Sequence, residues 1–312
     1  MIISIKKNWS SIESKHNAFI MKKIQKHLDN AKKYHGPKSL ATYFVDKTKD
    51  LITSNNLKDL ALAARYYDFI ISRNRNNKAL IKVFKKNLAD IFDYHNFITK
   101  TVGYDAYDLC SASKTRSCPY CNQSYAFTIR AQKKEFRPTL DHFFPKESYP
   151  HLALSLYNLV PSCSICNSSL KGRINFSKTP HLHPLFDNES IEFSLETTKS
   201  RKEIVGLVDI NTKDFKIKIA HNNDAKSINS VNTFIIARRY ESFIFEAVNF
   251  ARCKIYYDEL KGNNQIDIVN DIDESSALMF NHHAYQNQLL GKLLQGIYKQ
   301  YSQQPSSIAS RA

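Results

Sequence analysis

Two Cys-x-x-Cys pairs in the middle of the chain most constrain what it can fold into. Cys118 and Cys121 form the first pair, and Cys163 and Cys166 form the second. Such a pair presents two thiolates on one turn, and two pairs complete the tetrahedral four-sulfur coordination of structural Zn²⁺. A redox dithiol is the alternative for either pair alone, but two pairs flanking one segment favour a metal. The sequence therefore predicts a structural zinc site on these four cysteines.

The spacing between the pairs predicts an inserted subdomain. Forty-one residues, from Asn122 to Ser162, separate the pairs, whereas a simple site of this kind has roughly 15–20. The insertion contains the dipeptide Asp141-His142 and, close to the second pair, Asn158. Asn167 follows the second pair directly. A zinc site would hold these four polar residues in fixed positions.

The same four residues suit the hydrolysis of a phosphodiester. His142 can act as general base, because an imidazole titrates near neutral pH. Asp141 can hold a hard divalent ion, and the side-chain carbonyl of Asn167 can supply a second oxygen, which favours Mg²⁺ or Mn²⁺. Asn158 can bind backbone groups through its amide and fix the presentation of His142. These residues are therefore the candidate catalytic site.

In this order and spacing, the residues resemble the HNH, or His-Me finger, endonuclease motif. The similar subgroup supports its ββα-metal site with a C-x-x-C…C-x-x-C zinc site, and the resemblance covers about residues 115–190. It implies that His142 is the general base, that Asp141 binds the catalytic Mg²⁺ or Mn²⁺, and that Asn158 is the structural asparagine. Asn167 occupies the last motif position, where many members have histidine.

A longer stretch resembles the HNH subunits of Septu-type and retron-linked anti-phage systems. It comprises L-D-H-F-F-P-K, Y-N-L-V-P-S-C and H-P-L-F-D. In those systems the nuclease works with an ATPase of the ABC/SMC type, so the resemblance implies such a partner. His181, His183 and Asp187 lie near this stretch. They are candidates for supporting the metal site, with direct catalysis and a purely structural role as alternatives.

The charge of the chain predicts a polyanionic partner. The formal net charge is +16 over 312 residues, and cationic surfaces gain affinity for nucleic acid by releasing its counterions. We expect the partner to be nucleic acid, and DNA in particular. Contacts of this kind position the backbone without reading sequence. A solvated surface is the alternative for each cation. The candidate backbone contacts are Arg130, Lys133, Lys134, Arg137, Lys146, Lys171 and Arg173.

Apolar periodicity predicts an α+β chain that is mainly helical, with the small HNH module between two helical regions. Residues 1–108 form a basic helical region for recognition or docking, and a fragment beginning near Asp108 is expected to keep zinc and weak cleavage. Residues 109–188 form the HNH module, in which Ser124–Arg130 pairs with Phe136–His142. Residues 189–301 contain a strand pair, a helix from Phe234 to Tyr257 and a last helix over about 276–301. Residues 302–312 form a flexible tail.

The remaining features narrow the class of protein. No apolar run approaches the ~18 residues of a membrane helix, and the first residues do not read as a signal peptide. Most of the cysteines lie in the two pairs, so we expect a soluble cytoplasmic protein without a membrane. Two functions compete with an active endonuclease. One is a zinc-stabilised nucleic-acid-binding module without cleavage, and the other is a subunit that cleaves only within a complex.

Overall fold

The computed structural model describes residues 2–33, 39–99, 103–131, 135–207, 209–262 and 273–302. The chain divides into two compact units. The first consists of Ser4–Pro119 and Tyr125–Asn188, and the second of Met1–Ile3, Tyr120–Ser124 and Glu189–Ala312, each as far as it is described. The fold is mainly helical with small antiparallel sheets, as predicted. In the described parts, no helix is both long and apolar enough to span a membrane. Lys133, Lys134 and the predicted tail after residue 302 lie outside the described residues.

Helices make up most of the first unit. Short polar clusters separate them, because asparagine and serine side chains accept hydrogen bonds from the first free N–H groups of a helix. Ser39, Asn56 and Asn77 act in this way on three of the helices. The helices are α1 (Glu13–Lys33), α2 (Leu40–Ile52), α3 (Leu57–Arg73), α4 (Lys78–Phe92), α5 (Tyr94–Ile98) and α6 (Ala106–Ser111).

An aromatic core joins these helices to the central segment of the chain. The ring of His151, in the short helical turn Pro150–Leu152, lies 4.9 Å from the ring centroids of both Phe44 and Tyr67. Phe84 packs against the same two rings. Burial lowers the pKa of His151 to about 3, so the ring is neutral at physiological pH. The turn Pro150–Leu152 is therefore held against α2, α3 and α4.

The sheet of the first unit differs from the predicted pairing. Strand β1 (Thr139–His142) pairs antiparallel with β2 (Leu159–Ser162), so that His142 lies opposite Leu159. The predicted partner, Ser124–Arg130, makes one bridge to Phe136–His142, from Ile129 to Phe136, and its Tyr125 bridges Ser117 instead. β1 pairs with the more buried of the two segments: Leu159 and Val160 are inaccessible to solvent, whereas Ile129 is 43% exposed. A seven-residue π-helix, Ile165–Lys171, follows β2.

The N-terminal segment belongs to the same unit as this sheet. The indole Nε1 of Trp9, which is fully buried, donates to the Leu159 carbonyl at 3.0 Å. The Oδ1 atom of Asn8 accepts hydrogen bonds from the backbone N–H groups of Lys114 and Thr115, both at 2.9 Å. The predicted boundary between residues 108 and 109 lies within α6, in the first unit, and Asn188 is the last residue of that unit.

The second unit contains the strand pair that alternation indicates. Strand β3 (Ile191–Thr197) runs antiparallel to β4 (Phe215–His221), and the alternating apolar side chains of β3 are buried. A Cβ on Gly296 would lie 2.1 Å from the Phe193 carbonyl, so only glycine lets the last helix pack on β3. The helices are α7 (Arg201–Val205), α8 (Ala225–Thr233), α9 (Ile236–Glu241), α10 (Ile244–Gly262), α11 (Glu274–Ala277) and α12 (Gly291–Ser302).

Two predicted long helices of this unit are interrupted. The stretch from Phe234 to Tyr257 is divided between α9 and α10 by a turn at residues 242–243, and Ile235, with a φ of 42°, separates α8 from α9. The last predicted helix is divided between α11 and α12, with φ values of 49° at Met279 and 58° at Leu290 between them. A left-handed residue cannot continue a right-handed helix. Periodicity alone does not detect these breaks.

Candidate functional site

The four cysteines come together, as the sequence predicts. The Sγ atoms of Cys118, Cys121, Cys163 and Cys166 are buried and all lie within 4.8 Å of one another. Two backbone N–H groups point at sulfur: that of Gln123 at Cys121, at 3.5 Å, and that of Cys166 at Cys163, at 3.4 Å. Such donors favour the thiolate form, which is the form that binds a metal. The cluster can hold a metal such as zinc with four sulfur ligands.

The turn after Cys121 is held by the conformation and the hydrogen bonds of Asn122. Asn122 has a φ of 52°, a left-handed conformation that asparagine tolerates better than most residues. Its Nδ2 donates to the Gln288 carbonyl at 2.8 Å, and its Oδ1 accepts from the backbone N–H of Lys292 at 2.9 Å. The hydroxyl of Tyr240 donates to the Cys121 carbonyl at 2.7 Å. The turn is therefore fixed by specific hydrogen bonds rather than by the cysteines alone.

His142 ends strand β1 with its ring in a defined orientation. Its Nε2 lies 2.9 Å from the carbonyl oxygen of Ala153, and because a carbonyl only accepts, Nε2 carries the hydrogen. In the neutral ring, Nδ1 then has the lone pair. The ring meets Tyr94 edge-on, with centroids 4.5 Å apart. Burial lowers the pKa of His142 to about 4, so the ring is a neutral proton acceptor at pH 7.

Asn158 connects the two chain segments that surround His142. Its Oδ1 accepts from the backbone N–H of Phe144 at 2.7 Å. Its Nδ2 donates to the carbonyls of Phe144 at 3.0 Å and Leu152 at 2.8 Å. The side chain is fully buried, and its amide satisfies three backbone groups that water cannot reach. The geometry is suited to holding the end of β1 and the following loop in one arrangement.

Asp141 has a cationic partner that sequence reasoning did not assign. Lys171 Nζ lies 2.5 Å from Asp141 Oδ1 and 2.7 Å from the His142 carbonyl oxygen. The two side chains are only 4% and 1% exposed. The sequence places Lys171 among the candidate contacts to a nucleic-acid backbone, but its ammonium lies inside the first unit. Lys171 ends the π-helix that also contains Asn167, and this helix packs against β1, so the pairing is visible only in the folded structure.

Asn167 lies on the π-helix and is half-buried. Its backbone N–H donates to the Cys163 carbonyl and its carbonyl accepts from Gly172, both at 3.0 Å. Gly172 has a φ of 50° and ends the helix. Cys166, Asn167 and Lys171 therefore share one short helical element, and Cys163 lies just before it.

The three other candidates for supporting the site pack beside β1. The ring of His183 lies 4.0 Å from that of Phe143, and His181 stacks on Phe176 at 3.8 Å. Burial lowers the pKa of His181. The carboxylate of Asp187 accepts the backbone N–H of His183 at 2.8 Å, which closes the turn between them. These contacts support a structural role for the three residues, in packing and in forming the turn.

The described candidates for backbone contact occupy different environments. Arg130 pairs with Asp105 and Asp108 at 3.1 and 3.0 Å. Arg137 donates to the carbonyls of Pro138 and Ile98, and the half-buried Lys146 pairs with Glu147. Arg173 is exposed. Arg130 is exposed as well, but it is paired with two carboxylates.

Two known proteins are similar to parts of the chain. The Septu protein PtuB of Bacillus thuringiensis is 34% identical over 73 residues, which are 23% of this chain and 26% of that protein. Protein ea31 of Escherichia phage lambda is 30% identical over 122 residues, which are 38% of this chain and 35% of that protein. The chain thus matches well under half the length of either relative. No family model and no solved structure matches it.

Proposed function

We propose that the protein is a metal-dependent endonuclease of the HNH type that hydrolyses phosphodiester bonds in nucleic acid, with DNA as the substrate. The observation that carries the proposal is the geometry at the end of β1. Asp141 and His142 are adjacent there, and the Ala153 carbonyl orients the imidazole so that Nδ1 has the lone pair. The cysteine cluster and the π-helix that bears Asn167 support the proposal, because the HNH motif that the sequence resembles has both features.

The chemistry assigned to these residues is in-line hydrolysis. His142 Nδ1 takes a proton from water, the water oxygen attacks phosphorus, and the bond to the 3′ oxygen breaks. The 3′ oxygen takes a proton from solvent, which gives a 3′ hydroxyl and a 5′ phosphate. Asp141 and Asn167 would hold Mg²⁺ or Mn²⁺, which supplies positive charge against the phosphate. Asn158 keeps His142 in place through the backbone of Phe144.

Lys171 bears directly on how a divalent ion fits this site. The carboxylate of Asp141 has an oxygen suited to Mg²⁺, but Lys171 Nζ is already 2.5 Å from Oδ1. A divalent ion must therefore use the remaining lone pairs of the carboxylate or displace the ammonium. Either way, Lys171 raises the concentration of metal that the site requires.

We also propose a role in anti-phage defence. The partial similarity to the Septu protein PtuB supports it, together with the resemblance of the wider motif to Septu-type and retron-linked subunits. A partner ATPase of the ABC/SMC type belongs to this proposal. The cysteine cluster is then a structural zinc site that holds the nuclease module together.

A plasmid-nicking assay tests the nuclease. The full-length protein should nick supercoiled plasmid with Mg²⁺ or Mn²⁺, alone or co-purified with the product of an adjacent ATPase gene. His142→Ala should lower the rate on the order of 10²–10⁴-fold, with zinc content unchanged. His283→Ala is the matched control, because this histidine is exposed and lies in the second unit. DNA binding without cleavage under every condition would instead support a zinc-stabilised binding module.

A further inference from the structure

Three consecutive backbone carbonyls, those of residues 152–154, are each held by a buried polar side chain. Two of the side chains, Asn158 and His142, belong to the candidate catalytic site. The third is His16, on the N-terminal helix α1. The carbonyl of Leu152 accepts from Asn158 Nδ2 at 2.8 Å, that of Ala153 lies 2.9 Å from His142 Nε2, and that of Leu154 lies 2.7 Å from His16 Nε2.

His16 is itself fixed on both sides of its ring. Its Nε2 faces a carbonyl and so carries the hydrogen, which leaves Nδ1 to accept from the Tyr104 hydroxyl at 2.9 Å. The side chain is fully buried, and the ring lies edge-on to Phe97 at 5.8 Å. Burial lowers the pKa of His16 to about 4. One tautomer of a neutral ring is therefore selected at physiological pH.

We infer that His16 is a positioning residue for His142, acting through the backbone of residues 152–154. Peptide units are planar, so a carbonyl reorients only when its whole unit rotates about the neighbouring α-carbons. Asn158 and His16 hold the units on either side of the one that His142 contacts. The Ala153 carbonyl consequently has little freedom, and the imidazole that donates to it keeps both its direction and its tautomer. The assignment rests on the proposed role of His142 as general base.

Spectroscopy of the histidine side chains tests this without requiring cleavage. In full-length protein labelled with ¹⁵N-histidine, long-range ¹H–¹⁵N correlations report which ring nitrogen of His142 is protonated. His16→Leu removes the donor to Leu154, and we expect the His142 signals to shift or to show both tautomers. His16→Gln, whose amide can still donate to that carbonyl, should restore the signals of the parent. His27→Leu is the control on the same helix, since His27 contacts Thr42 instead.

Tyr104→Phe keeps the assay decisive if His16→Leu fails to fold. This change deletes one hydroxyl and leaves the His16 ring in place, so a smaller change of the His142 signals in the same direction is expected. Unchanged His142 signals in a folded variant that lacks the His16 donor or the Tyr104 hydroxyl would overturn the inference. A change of equal size in His27→Leu would overturn it too, because the effect would then be general to α1.

Kinetics separate this inference from the proposed function. If the parent nicks DNA, His16→Leu should lower kcat about 10- to 100-fold, as expected for a displaced catalytic group, with KM and zinc content unchanged. A parent that never cleaves refutes the nuclease but leaves the spectroscopic test intact. A cleaving parent with an unaffected His16→Leu variant refutes the positioning role alone.

Discussion

Replacing Lys171 with methionine removes the buried cation from Asp141 while keeping a side chain of similar length. The carboxylate is 1% exposed, so it would remain in the protein interior without its ammonium. Removing one partner of a buried pair typically costs about 3–5 kcal/mol, a large part of the free energy of unfolding of an ordinary domain. We expect the variant to lose about that much stability in buffer without divalent ions.

A divalent ion should return part of this stability if Asp141 is a metal ligand. Binding to the folded state alone stabilises a protein by about 2.7 kcal/mol at a concentration one hundred times Kd. Mn²⁺ should therefore raise the unfolding midpoint of Lys171→Met, and by more than in the parent, where the ammonium competes. The double variant Asp141→Asn, Lys171→Met is the control, because it lacks both charges and should respond little to Mn²⁺.

Urea unfolding followed by tryptophan fluorescence is the assay. Trp9 is the single tryptophan of the chain and is buried against β2 in the same unit, so its emission reports on this part of the fold. Zinc is kept constant, and only the second metal is varied. A stability loss below about 1 kcal/mol would refute the energetic reasoning. An equal response of the single and double variants to Mn²⁺ would refute metal binding by Asp141.

Four further outcomes are expected. Cys163→Ser should lower both zinc content and melting temperature; a parent found free of zinc by elemental analysis would contradict the metal site. Asn158→Ala removes the side-chain partners of the Phe144 N–H and carbonyl, while the Leu152 carbonyl keeps the Ser155 N–H at 3.2 Å. The change should destabilise the protein by about 3 kcal/mol, measured by urea unfolding, and should slow cleavage at saturating metal. A fragment beginning near Asp108 lacks Trp9 and should fail to fold; a cooperative melt of that fragment would show otherwise. His151 has a folded pKa of about 3, below its unfolded value, so its contribution to stability is complete above about pH 6.5 and is lost as pH falls. Between pH 7 and pH 5.5 the parent should therefore lose about 1 kcal/mol of unfolding free energy that His151→Phe keeps, as measured by urea unfolding at the two pH values.

Local chemistry explains what the sequence could predict. Each cysteine pair forms a short turn whose own backbone directs an N–H group at one sulfur. The pairing of β3 with β4 follows from alternation over seven residues on each strand. In both cases the information lies within a few residues of the structure it specifies.

What the sequence did not predict depends on distant contacts. The true partner of β1 is chosen by burial of Leu159 rather than by any local pattern. Lys171 reads as one more surface cation, because nothing near it in the sequence shows that Asp141 will lie beside its ammonium. His16 and Trp9 looked like parts of a separable helical region, yet their partners lie 138 and 150 residues further along the chain.

These long separations have a consequence for synthesis of the protein. A ribosome emits the chain from its N-terminus at about 5–20 residues per second, so α1 emerges well before Leu154 and Leu159 exist. The hairpin of β1 and β2 can complete its hydrogen bonds only once Ser162, about halfway along the 312 residues, has left the exit tunnel. Contacts this distant in sequence also slow the search for the native state. A nascent chain that ends before Lys171 therefore lacks the cation that pairs with Asp141 and cannot assemble the site.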